Sequence, residues 1–408
     1  MPNPVSPERL LAGNNELAGT LVSRLLAGTE ETGLVRSVYL TGSRSTEVHR
    51  PDSDWDLTFV IAGDAGTESV SRLCRHLADR LRVLRREGGF PGELAAPKIT
   101  SWPVLRRCLG WDAPTFGELF WRHAVLITGA ELRSGPLLSP GHANREPLAG
   151  YAVARSVILV CHHLWRTAGD GMCTLPFSHV GRILRALAYR RDGDFPIAPE
   201  AYPGILWSVC GLAGNDPVHQ ALTKTDQGRV TMSVASWARL IEVFCAAIGA
   251  GASGGGARAA VWLPNDRPVP WPTRWSTVDS PAGLTERRDH PAMPSGLARL
   301  WREWTGSPSW RSTLVSYFAY NRWNKLVDAL DGSLRPASLR EDADRIRYAL
   351  TRFPLPGIPA AEIEARADRV HAAGDRTGDL STAWGRLCEL ADPGDGAIDP
   401  PGLSIRDA

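Results

Sequence analysis

Two aspartates one residue apart, Asp54 and Asp56, are the side chains of this sequence best placed to do chemistry. In the run Ser53-Asp54-Trp55-Asp56-Leu57, strand alternation sends both carboxylates to one face and Trp55 and Leu57 to the other. Carboxylates about 7 Å apart along a strand can share two hard divalent cations, which prefer oxygen ligands and bridge triphosphate oxygens. One ion then activates an acceptor hydroxyl, and the other neutralises charge on a pyrophosphate leaving group. Upstream stands Val38-Tyr39-Leu40-Thr41-Gly42-Ser43-Arg44. Gly42 permits a tight turn with close backbone approach, and Ser43 offers a hydroxyl and an N–H at the start of the next element, which together suit a phosphate cradle. Arg44 has the reach to touch a phosphate, a surface ion pair being the equal alternative.

The elements that must hold these residues are set by periodicity. A helix is expected over 6–26, with Leu10, Leu11, Leu17, Leu21, Leu25 and Leu26 at helical spacing. A β-branched strand over 35–41 leads into the Gly-Ser turn, and a second strand covers 55–61. Over 68–86 lies a basic amphipathic helix whose stripe is Leu73, Leu77, Leu81 and Leu84. Its arginines read as a solvated face ahead of a nucleic-acid contact. A third strand is expected over 94–104, at an edge or bulged because of Pro97. From about 115 to 248 the pattern turns helical, over 117–127, 151–166, 177–191 and 230–248. Residues 249–257 (GAGASGGGA) form a flexible linker by composition, and helical patterns return beyond a Pro/Trp-rich stretch that starts at about 258.

Bulk properties exclude several classes. The 408 residues are enough for two or three domains, and a net charge of +2 is too small for a protein that coats a polyanion. Only three lysines occur (Lys98, Lys224 and Lys325), an arginine bias typical of a GC-rich coding background. The seven cysteines are scattered without a C-x-x-C pair, as expected of free thiols in a reducing cytoplasm. No stretch approaches the roughly 20 apolar residues that span a bilayer, so a cytoplasmic protein without membrane contact is expected. Kinase-like P-loop chemistry is excluded by the lack of a Gly-Lys-Ser/Thr run.

The segment GSRSTEVHRPDSDWDL resembles the polymerase-β-like nucleotidyltransferase superfamily, especially its minimal and aminoglycoside nucleotidyltransferases. Gly42, Ser43, Ser53, Asp54, Asp56 and Leu57 match that pattern, whereas Thr46-Glu47 replaces its usual small residue and glycine. The resemblance implies a nucleotidyltransferase catalytic α/β domain at 1–110 and a helical bundle at 111–248; with the mainly helical, tryptophan-rich accessory or acceptor domain that composition and pattern indicate at 258–408, the expected fold is α+β. It implies Asp54 and Asp56 as ligands of two Mg²⁺ ions, and Gly42, Ser43, Arg44 and Ser53 around the nucleotide. A third carboxylate is implied on a later strand. Glu93 is the first candidate for it, as ligand or as base, and Glu87 is a weaker one. Lys98 is the one charged residue inside that strand, and a two-carboxylate site stays open.

The substrates so implied are an NTP, ATP first, and a small-molecule hydroxyl such as that of an aminoglycoside. A protein or RNA acceptor, or a degenerate domain that binds nucleotide without turnover, are the alternatives; the oligomeric state is not encoded legibly. Other tempting residues have plainer readings. His49 is a loop residue, and His162-His163 are helix neighbours that diverge by about 100° and serve packing. Tryptophans 262, 271, 275, 301, 304, 310 and 323 are core before they are a stacking platform.

Overall fold

The computed structural model describes residues 7–46, 52–111, 113–137, 172–193, 195–197, 199–223 and 228–247, with isolated helical positions at 149, 152–153, 156, 160, 361, 365 and 368. The linker, the tryptophan-rich region and the expected domain at 258–408 therefore lie outside the described residues, apart from those last three positions. So do His49, His162 and His163. The architecture is α+β, with helices and a mixed sheet. The chain divides into two compact units.

The described part of the first unit covers 7–46, 52–111 and 117–137, with the isolated positions 361, 365 and 368. Its four-stranded sheet has the order β3-β2-β1-β4, from β1 (Val35–Thr41), β2 (Asp56–Ile61), β3 (Lys98–Ser101) and β4 (Val125–Gly129). β1 runs antiparallel to β2 and β4, and β2 runs parallel to β3. Two long helices, α1 (Pro7–Leu26) and α2 (Thr67–Glu87), share one core with the sheet. Leu73, Leu77, Leu81 and Leu84 of α2 are all buried against Leu21 and Leu25 of α1 and Val38, Leu40, Leu57, Phe59 and Ile61 of the strands. Those strand residues alternate, so the other sheet face carries Tyr39, Thr41, Asp56 and Thr58. Two short helices, α3 (Trp102–Trp111) and α4 (Glu118–His123), follow β3 and precede β4. Phe120 of α4 meets the Tyr39 ring at 5.3 Å.

Two expectations change here. The third strand covers only 98–101, preceded by a single bridge from Leu94 to Trp55, and 102–104 begin α3. The sheet also acquires a fourth strand beyond residue 110, where a helical pattern was expected over 117–127. Val125 and Ile127 pack on the helix-side core while Leu126 pairs with Tyr39, a period of two that the six helical residues of α4 before it conceal.

The chain after β4 is fastened by a buried tyrosine. Tyr39 donates its hydroxyl hydrogen to Glu131 Oε1 at 3.0 Å and accepts the Leu132 N–H at 2.9 Å. Arg133 grips Glu131 through Nε and Nη2 and lies over the Tyr39 ring at 5.2 Å. The Arg133 guanidinium, first among the causes, holds the Glu131 carboxyl down to about 2. A depressed carboxyl contributes stability that is full above its unfolded value, near 4.5, and is lost as pH falls through about 2. Glu131 is 42% exposed, so water screens much of that contribution. Between pH values of about 4.5 and 2.5, the wild-type melting temperature is expected to fall more steeply than that of Glu131→Gln. Parallel acid slopes in thermal melts followed by circular dichroism would refute the coupling.

The second unit contains β5 (Met172–Pro176), β6 (Arg229–Ser233), α5 (Phe177–Asp192), α6 (Tyr202–Ser208), α7 (Pro217–Thr223) and α8 (Val234–Ala247). The expected all-helical bundle is thus interrupted by an antiparallel strand pair. Cys173, Leu175, Val230 and Met232 point inward, and the Trp237 indole donates to the Cys173 carbonyl at 3.1 Å. β6 runs into α8 without an intervening turn, so the strand reads from sequence as the first turn of one helix over 230–248. Cys74, Cys173 and Cys210 are free thiols, and burial pushes Cys74 and Cys210 up to about 12. Among the described residues no helix is long and apolar enough to cross a membrane.

Candidate functional site

The Asp-x-Asp motif begins β2, where Asp56 pairs with Thr41, the last residue of β1. Trp55 and Leu57 are buried on the helix side, so Asp54 and Asp56 belong to the opposite face, as strand alternation requires. β3 contributes Lys98 to this face. Its Nζ donates to Asp56 Oδ1 at 3.3 Å, with both side chains partly exposed.

The Gly-Ser turn closes directly on the second aspartate. Gly42 has φ +73°, and a Cβ there would lie 2.4 Å from Asp56 Oδ2. The turn is a single 3-10 turn, Ser43–Ser45, in which the Ser45 hydroxyl donates to the Gly42 carbonyl at 2.8 Å and Thr46 Oγ1 donates to the Ser43 carbonyl at 2.7 Å. Thr46, at the departure from the expected motif, thus tightens the turn. The half-buried Ser43 hydroxyl has no hydrogen-bond partner among the described residues and stays available to a ligand. Gly42→Ala combines an unfavourable left-handed backbone with a collision against Asp56. We expect it to lower stability by at least about 1–2 kcal/mol. A denaturant midpoint equal to wild type would show that the turn does not rest on Asp56.

Arg44 has a different place from the expected phosphate contact. Its side chain is buried, and its guanidinium donates to the Ser53 carbonyl at 2.8 Å and the Pro91 carbonyl at 2.6 Å. It also stacks 4.2 Å over the Trp55 ring. Asn14 of α1 donates to the Arg44 carbonyl at 3.1 Å, and the Trp55 indole donates to the same Pro91 carbonyl at 2.7 Å. One arginine therefore ties the Gly-Ser turn to the start of the aspartate strand and to the loop before β3. Gly92 completes the clamp, since with φ +80° its Cα faces the Ser53 carbonyl so closely that a Cβ would lie 2.2 Å from that oxygen. Ser53 takes part through its carbonyl, as the acceptor that fixes the backbone entering Asp54.

The electrostatics centre on Asp54. It is exposed, yet its carboxyl is raised above the ordinary aspartate value, first by lost hydration and then by the negative charge of Asp56. Asp54 stays open to water, so this loss of hydration is partial and the repulsion from Asp56 adds to it. Lys98 pulls in the other direction. Two repelling carboxylates form a place that a divalent cation relieves, which fits Mg²⁺ at Asp54 and Asp56.

The third-carboxylate candidates separate. Glu93 adjoins the Trp55–Leu94 bridge, and its carbonyl accepts the Trp55 N–H at 2.8 Å. Leu94 shares the core with Trp55, and the exposed Glu93 beside it raises Asp54 by its charge, least of the causes. Glu87 ends α2 in an ion pair with Arg24, outside this face. Among the described residues no three His, Cys, Asp or Glu side chains group closely enough to hold a metal ion by themselves. The arginines of α2 are largely engaged nearby: Arg72 with Glu31 and Glu68, Arg82 with Asp79, and Arg80 and Arg85 with backbone carbonyls.

Sequence reading missed Asn14, the pairing of Lys98 with Asp56 and the clamp role of Arg44. Lys98 alone carried a signal, as the one charged residue inside an otherwise neutral strand. No protein-family model, curated protein or solved structure matches this chain.

Proposed function

We propose that the chain is a Mg²⁺-dependent nucleotidyltransferase that moves a nucleoside monophosphate, AMP first, from an NTP to a hydroxyl of a small-molecule acceptor. The observation that carries this reading is the packing of the Gly42-Ser43 turn against Asp56, with Asp54 beside it at the mouth of β2. An open serine hydroxyl, a glycine with no side chain in the way and two repelling carboxylates at one strand end suit a triphosphate that arrives with a cation. Mg²⁺, when bound at Asp54 and Asp56, would supply positive charge that offsets the triphosphate and eases departure of pyrophosphate.

The chain's own groups do the rest. Ser43 would donate to a phosphate oxygen, and Asp54 and Asp56 would hold the cation. The acceptor oxygen bonds to the α-phosphorus as the bond to the α,β-bridging oxygen breaks. Pyrophosphate leaves with that electron pair, and the hydroxyl proton passes to Glu93 or to water. Catalysis of this kind is mainly positioning and charge neutralisation.

The test is pyrophosphate release from each of the four NTPs with Mg²⁺ and a panel of aminoglycosides and other polyols. We expect release with ATP that depends on both acceptor and metal; no release from any NTP with any acceptor class, protein and RNA included, sinks the catalytic reading. A domain that binds nucleotide without turnover is the second reading, favoured by the lack of a three-acid group among the described residues. It predicts saturable Mg·NTP binding with no pyrophosphate formed.

A further inference from the structure

A lysine stands inside the acidic face, against one of its two aspartates. Lys98 is on β3, in parallel register with Thr58 two residues along from Asp56, and its ammonium is 3.3 Å from Asp56 Oδ1. The other Asp56 oxygen, Oδ2, faces the Cα of Gly42. One oxygen is thus engaged by a cation of the protein itself, and the other is confined by the turn. With Oδ1 engaged by the ammonium and Oδ2 close against the turn, Asp56 has less coordinating surface to offer than a fully open carboxylate. Glu93 does not complete a group of three with Asp54 and Asp56.

Charge points the same way. Three carboxylates with two divalent ions leave one net positive charge to meet the triphosphate. Two carboxylates, one ammonium and one divalent ion leave the same.

We propose that Lys98 is a substrate-contacting residue of this site, binding a nucleotide phosphate in place of a second metal ion, so that each bound NTP brings a single divalent cation. This rests on the nucleotidyltransferase reading and deepens it. When the nucleotide enters, the ammonium turns from Asp56 Oδ1 to a phosphate oxygen, and the aspartate oxygen it releases serves the one cation. A flexible lysine stem allows that short exchange.

The experiment uses the full chain, Mn²⁺ as the probe ion and α,β-methylene-ATP as the probe nucleotide. Mn²⁺ is counted by electron paramagnetic resonance and nucleotide affinity by calorimetry. Wild type is expected to take one Mn²⁺ per bound nucleotide. A charge-assisted contact contributes about 1.5–3 kcal/mol, so Lys98→Met should weaken nucleotide binding by roughly 10- to 150-fold. Lys98→Arg should stay within a few-fold of wild type and keep the count of one, whereas Lys98→Glu should bind the nucleotide with two Mn²⁺. A merely structural lysine would shift the melting temperature in these variants and leave the ion count unchanged. Two Mn²⁺ per nucleotide in wild type, or unchanged affinity in a folded Lys98→Met, overturns the role of Lys98 alone. Wild type that binds no nucleotide overturns the nucleotidyltransferase reading as well.

Discussion

Asp54→Asn and Asp56→Asn are each expected to cut nucleotide transfer by at least about 10²- to 10³-fold, because preorganised charge is the main source of rate in such chemistry. Their effects on the fold should diverge, which makes the pair diagnostic. In the wild-type protein Asp54 is held away from ionisation partly by Asp56. Replacing Asp54 by the neutral amide removes that repulsion, so the variant should melt at or above the wild-type temperature while inactive. Asp56→Asn instead takes the partner of Lys98 and alters the group against which Gly42 packs. It should be inactive and somewhat less stable. A residue that is neutral or harmful to stability and essential to turnover is what a functional site predicts. Turnover within a few-fold of wild type in either variant would end the assignment. A large loss of stability in Asp54→Asn would mean instead that its carboxylate is structural.

The candidate motif was legible in the sequence because its signals are local. Strand alternation alone places Asp54 and Asp56 together, and a glycine before a serine marks a turn whichever way the chain continues. The packed face of α2 was equally plain, since Leu73, Leu77, Leu81 and Leu84 are spaced for one side of a helix and all four are buried. What escaped is long-range or short. β4 joins the sheet some 60 residues after β2, and nothing in Val125–Gly129 announces its partner. β3 is four residues long, too short for periodicity to define. The partners of the site's two cations went unread for one reason: a charged side chain has its partner chosen by tertiary structure. Arg44, next to the Gly-Ser turn, points into the protein, while Lys98, 42 residues from Asp56, reaches the acidic face.

Loss of the Arg44 guanidinium should therefore appear as instability before it appears as weak nucleotide binding. Arg44→Ala would remove the guanidinium donor from the Ser53 carbonyl, take one of two donors from Pro91 and uncover the face of Trp55. Breaking a buried polar network of this size costs about 3 kcal/mol, since each unsatisfied group adds a desolvation penalty and the vacated volume adds a cavity. Arg44→Lys should recover little. A single ammonium cannot fork between two carbonyls while lying flat on an indole, and its hydration is harder to remove. Burial already depresses the guanidinium from its usual value, and Asp54 and Asp52 work against that, so the charge belongs to the folded clamp. Urea unfolding followed by tryptophan fluorescence reads the outcome directly, because Trp55 lies under the arginine. The clamp role requires both variants to be destabilised, with nucleotide affinity of the folded fraction changed far less. The opposite pattern, wild-type stability in Arg44→Lys with a nucleotide requirement raised tenfold or more, would return Arg44 to the phosphates. It would also mean that the guanidinium leaves Ser53 and Pro91 whenever a ligand is bound.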